Sequence, residues 1–217
     1  MKDILLFDLD GTLFNTKPGI VNCVQYALAD YGIFEDNPDN LEKFIGPPLH
    51  QSFQMFYGFD EEKSAQAASK YRERYKEEGI YECAPYDGIK ELLKDLREKG
   101  KILGVATSKP EIFAKRILDK FEFSQYFTQI TGSLLDNTRS KKTEVIEEAL
   151  SCLGASNKRE HVLMIGDREH DIIGAKEAQL SSVGVYYGFA KAGELEAAGA
   201  EHIVRTVPEL HSLLLSL

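Results

Sequence analysis

Short apolar runs recur along the chain, and each ends abruptly in polar residues. Residues 4–7 form the first, Ile-Leu-Leu-Phe, the pattern of a strand buried on both faces. Runs at 102–106, 127–131, 162–165, 182–186 and 203–204 read as further strands. Between them the apolar spacing turns helical. Residues 88–99 place Ile89, Leu92, Leu93 and Leu96 on one side, and helices are also predicted at 111–121, 142–153, 172–178, 194–198 and 208–215. Strand and helix alternate from residue 102 onward, which predicts parallel βαβ units in a doubly wound sheet.

Residues 17–82 break that rhythm. Ile20, Val21, Val24, Ala27 and Leu28 give a helical stripe over 18–31, with Pro18 suited to its first turn. The turn at 37–40 starts a further short helix. Helices follow at 49–57, after Gly46-Pro47-Pro48, and at 61–76, capped by Asp60. No strand is predicted here. The reading is therefore an α/β fold, a doubly wound parallel sheet built from 1–16 and 85–217, with an inserted all-helical cap over 17–84. Hinges are expected near 14–18 and 82–86.

The strand ends carry the chemistry. Ligands of open α/β sheets bind outside the carboxyl ends of the strands. The first strand ends in Asp8-Leu9-Asp10-Gly11-Thr12, the second in Thr107-Ser108-Lys109-Pro110, and the fourth in Gly166-Asp167, with Asp171 four residues on. Isolated buried carboxylates are costly. An Asp-x-Asp pair closing a buried strand therefore points to a cation, and its oxygen ligands suit a hard one such as Mg²⁺. Lys142 opens a helix, with Lys141 as the competing choice.

In this order the motifs resemble those of the haloacid dehalogenase-like hydrolases, and the resemblance covers the whole chain. It implies a Rossmann-like core with a helical cap. Asp8 matches the nucleophile that forms an aspartyl-phosphate, and Asp10 the general acid and base. Thr107 matches the hydroxyl that holds a phosphoryl oxygen, and Lys142 the lysine that neutralises Asp8 and the transferring group. Gly11 and Thr12 are expected to offer backbone N–H groups to the substrate, with Ser108 and Lys109 as further contacts. Asp8, Asp10 (through its carbonyl) and Asp167 would hold Mg²⁺, with Asp171 orienting ligands nearby. His170 reads as a loop histidine.

Among the family's activities, Asp10 argues against the dehalogenases, which lack that carboxylate. No cap lysine falls in a phosphonatase motif. The whole chain resembles the phosphoglycolate phosphatase group with a helical cap, and Phe44-Ile45-Gly46-Pro47-Pro48-Leu49 and the Gly166–Ile172 stretch look closest to a 5′-nucleotidase-like branch. The expected substrate is a small phosphorylated metabolite, with a sugar-phosphate mutase or a retired binding module as alternatives. Lys43 and Arg72 are weaker cap contacts.

Composition narrows the partners. The formal net charge of −9 disfavours nucleic acid and anionic membranes. No run reaches the ~18 apolar residues of a membrane span. Cys23, Cys83 and Cys152 are widely spaced and read as reduced, mostly buried thiols of a cytoplasmic protein, monomer or homodimer.

Overall fold

In the computed structural model, which describes residues 2–136 and 138–217, β1 (Ile4–Phe7) runs through the middle of a parallel sheet. The short segments β2 (Phe14–Asn15) and β3 (Ala84–Pro85) pair as a separate ribbon. The sheet continues with β4 (Ile102–Pro110), β5 (Gln129–Ser133), β6 (Val162–Gly166), β7 (Ser181–Val185) and β8 (His202–Val204). Its spatial order is β5-β4-β1-β6-β7-β8. Phe7 lies level with Val105 on one side and Ile165 on the other. The chain leaves β1 toward β4 and later returns to β6, so the crevice between these connections opens where β1 ends. Leu5, Leu6 and Phe7 are essentially inaccessible, as a strand covered on both faces requires.

The chain divides into two compact units, Met1–Phe14 with Pro85–Leu217, and Asn15–Ala84. The first is the sheet with its helices. One side of that sheet packs Ile4, Leu6, Met164 and Val162 against Val145, Ile146, Ala149 and Leu150. The second unit is helical: α1 (Lys17–Ala29), a 3₁₀ segment (Pro38–Phe44), α2 (Leu49–Tyr57) and α3 (Glu61–Glu77). The Gly46-Pro47-Pro48 stretch joins the 3₁₀ segment to α2, with Pro48 at its N-cap. A core of Tyr31, Phe44, Phe53 and Phe59 holds the unit together. Its end is fastened to its beginning. Arg74 binds the Glu82 carboxylate through both terminal nitrogens at 2.6 and 3.0 Å, and the Glu82 carbonyl accepts the Gly19 N–H.

The sheet unit's helices are α4 (Ile89–Glu98), α5 (Glu111–Lys120), α6 (Lys142–Cys152), α7 (Glu169–Glu177), α8 (Glu194–Ala198) and α9 (Val207–Ser216). Four sequence expectations shift. β5 starts at Gln129, not 127, because Phe127 closes the preceding 3₁₀ turn through its N–H to the Ser124 carbonyl. β4 runs past 106 to Pro110, with a register break after Thr107. α7 starts at Glu169, three residues early, because its first turn is polar and carries no apolar periodicity. Of the cysteines, Cys23 is buried, Cys83 half-buried and Cys152 exposed on the last turn of α6, so the thiols are not mostly buried.

Candidate active site

The polar residues at the ends of β1, β4 and β6 converge. The Asp8 N–H donates to the Ile165 carbonyl at 2.8 Å, holding Asp8 beside Gly166-Asp167. Carboxylate oxygens of Asp8, Asp167 and Asp171 lie within 4.8 Å of one another. All three residues are buried, Asp167 completely. Lys142 reaches this group from the first turn of α6. Its Nζ lies 2.7 Å from Asp8 Oδ1 and 2.7 Å from Asp171 Oδ1, and donates to the Ala106 carbonyl at 3.0 Å. Lys141, the competing lysine, is exposed at the helix N-cap. His170 is exposed.

The electrostatics follow from this crowding. Burial pushes the Asp8 carboxyl up to about 6, with Asp171 and Asp10 adding to the rise and Lys142 opposing it. Asp167 is raised well above the ordinary range by burial and by its neighbours Asp171 and Asp8. Burial disfavours the Lys142 cation, but Asp171 and Asp8 overcome that and hold it protonated.

Asp10 sits at the rim, and both its carboxylate oxygens accept from Lys109 Nζ at 2.9 Å. Sequence reasoning gave Lys109 to the substrate; the structure gives it this carboxylate. Thr107 is buried, and its Oγ1 accepts the Lys109 N–H at 3.2 Å, which shapes the bulge at the end of β4. Ser108 beside it is half-buried.

The turn after β1 corrects one expectation. The Gly11 N–H donates to the Phe14 carbonyl at 2.8 Å, and the Thr12 N–H points to the Leu9 carbonyl at 3.4 Å. Those groups serve the turn itself. The Leu9 and Asp10 N–H groups have no partner among the backbone hydrogen bonds of the described residues. Thr12 contributes through its side chain instead, donating to Asp167 Oδ1 at 3.2 Å. Gly11 has φ +81°, and a Cβ there would stand 2.1 Å from Asp167 Oδ2. Only glycine fits both the conformation and the space.

Several contributors were missed because they carry no titrating group or lie far along the chain. The Phe189 N–H donates to Asp167 Oδ2 at 2.8 Å. Tyr187 donates its hydroxyl to the Thr12 carbonyl at 3.0 Å and packs edge-on against Tyr86. Burial, with Asp167 and Asp10 nearby, pushes the Tyr86 hydroxyl above its ordinary range.

The cluster fits a hard divalent cation. Its donors are all oxygen. Four carboxylates (Asp8, Asp10, Asp167, Asp171) face two ammoniums (Lys109, Lys142), leaving a formal charge of −2. Asp171 has both oxygens engaged, by Lys142 and by the Arg168 N–H at 3.0 Å.

Comparison with known proteins points the same way. The model of the haloacid dehalogenase-like hydrolase family matches residues 5–185. A 5′-nucleotidase from Pseudomonas aeruginosa is 46% identical over 210 residues, 97% of this chain and 94% of that protein. A pyrophosphatase from Halalkalibacterium halodurans is 31% identical, over 95% of this chain and 94% of its own. A crystal structure described as that of a predicted phosphatase from Clostridium acetobutylicum superposes with a TM-score of 0.95, at 45% identity and 100% coverage of both chains.

Proposed function

This chain belongs to the haloacid dehalogenase-like hydrolase family, and from that premise we propose that it is a Mg²⁺-dependent phosphomonoester hydrolase working through an aspartyl-phosphate on Asp8. The observation that carries the reading is the buried Asp8–Lys142–Asp171 arrangement beside Asp167, an all-oxygen cluster short of two positive charges.

Asp8, Asp167 and the Asp10 carbonyl would hold Mg²⁺. When bound, the ion offsets negative charge between the nucleophile and the phosphoryl group. The Asp8 carboxylate attacks phosphorus, the bond to the substrate's ester oxygen breaks, and Asp10 protonates that leaving oxygen. Asp10 then takes a proton from water. The resulting hydroxide attacks phosphorus, releasing orthophosphate and restoring the Asp8 carboxylate. Lys142 stabilises charge on Asp8 throughout. The Thr107 hydroxyl and the Leu9 and Asp10 N–H groups hold phosphoryl oxygens, which is electrostatic stabilisation by preplaced donors.

The 46% identity to a protein named 5′-nucleotidase supports nucleoside 5′-monophosphates over phosphoglycolate as the substrate. The test is phosphate release from nucleoside monophosphates, phosphoglycolate, pyrophosphate and sugar phosphates, with and without Mg²⁺. Mg²⁺-dependent release with the highest kcat/KM on nucleoside monophosphates is expected. Isomerisation of a sugar phosphate without release would instead make the chain a mutase, and no turnover of any ester would make it a binding module.

A further inference from the structure

The loop after β7 is fastened by a carboxylate far from the motifs. The Glu194 side chain is 9% exposed. It accepts Arg168 Nε–H at 2.7 Å, the Glu169 N–H at 3.0 Å and the Lys191 N–H at 3.0 Å. Arg168 and Glu169 directly follow Asp167. Lys191 lies two residues after Phe189, whose N–H binds Asp167 Oδ2 at 2.8 Å. One carboxylate therefore grips both ends of a ring of contacts that closes on Asp167.

The ring has no slack. A Cβ on Gly188 would stand 2.3 Å from the Gly11 carbonyl oxygen and 2.5 Å from Asp167 Cβ. A displaced loop would press on both, or withdraw the Phe189 N–H and leave Asp167 free to rotate. The half-buried Glu194 carboxylate accepts all three donors at once, which holds them together.

We propose that Glu194 and Arg168 are positioning residues for the divalent-cation site. They hold the 187–191 loop so that Phe189 fixes the carboxylate of Asp167. The inference rests on Asp167 being a cation ligand. Partners that orient a ligand in this way are worth about 10- to 100-fold in metal affinity. A role confined to capping α8 would lower stability and leave that affinity alone.

The experiment is calorimetric titration of the metal-free full chain with Mg²⁺, for the unmodified protein, Glu194→Gln, Arg168→Met and Asp167→Asn. Thermal unfolding in EDTA establishes which variants are folded, and either positioning variant suffices. Expected are a Mg²⁺ affinity about 10- to 100-fold weaker in Glu194→Gln and Arg168→Met, and a kcat that returns toward normal as Mg²⁺ is raised. KM for the ester stays unchanged. A folded variant binding Mg²⁺ within about twofold of the unmodified protein overturns the proposal while leaving the cation site standing. Absence of Mg²⁺ binding by the unmodified protein overturns the cation site itself, and this inference with it.

Discussion

Lys109 holds Asp10 by both carboxylate oxygens, each 2.9 Å from its Nζ. The lysine side chain is 5% exposed and the aspartate 17%, so the pair is shielded enough for geometry to matter. Lys109 and Thr107 lie on the bulged end of β4, and Asp10 on the turn after β1. The contact ties two strand ends together at the group assigned to proton transfer.

Lys109→Met should therefore act on kcat. Asp10 loses its fixed orientation, and the expected fall in kcat is about 10- to 100-fold, part of what a positioned acid–base group contributes. KM should change little. Steady-state kinetics on the preferred ester check this. A raised KM with kcat intact would return Lys109 to the role of substrate contact.

Lys142 has two buried carboxylates and a carbonyl around one ammonium. Lys142→Met leaves Asp8 and Asp171 without it, and breaking such a buried pair costs about 3–5 kcal/mol. The metal-free variant should unfold at clearly lower denaturant, and added Mg²⁺ should recover part of the loss by supplying positive charge. Lys142→Met with Asp171→Asn should regain stability and remain inactive. Equilibrium denaturation with and without Mg²⁺ measures both.

The helical unit carries a pH-dependent fastening away from the chemistry. Hydrogen bonding to Arg74, helped by Asn22, holds the Glu82 carboxyl below its ordinary 4.5 against an opposing effect of burial. A depressed carboxylate contributes stability that is present above its unfolded value and lost as pH falls through the folded one. Glu82 is 31% exposed, and after screening the contribution is about 1 kcal/mol. Glu82→Gln should lower thermal stability at neutral pH and approach the unmodified protein as pH falls below the ordinary 4.5 through the depressed folded-state value. A difference independent of pH would show that the carboxylate charge does not matter there.

The parallel sheet and the approach of Asp8 to Asp167 were legible, though the strand order was not, because buried strands that end in polar residues have little other use for them. Lys142 was legible only beside those ends, and its burial against Asp8 separates it from Lys141. The β2–β3 ribbon was not legible, since two residues per strand carry no period. Phe189 acts on Asp167 through its backbone, and no side-chain pattern announces that. Glu194 opens a short predicted helix, and no local pattern announces the Arg168 contact that the fold supplies. Lys43, a cap contact in the sequence reading, lies over the Phe56 and Tyr57 rings of its own unit.

Trapping the covalent intermediate tests the central claim most directly. Turnover with Mg²⁺ and the preferred ester is quenched with borohydride, which reduces an aspartyl-phosphate to homoserine, and the digested chain is mapped by mass spectrometry. Homoserine at position 8, absent when substrate or Mg²⁺ is omitted, is the expected result. Homoserine at another aspartate, or an unmodified Asp8 during confirmed steady turnover with a validated quench, would contradict the account.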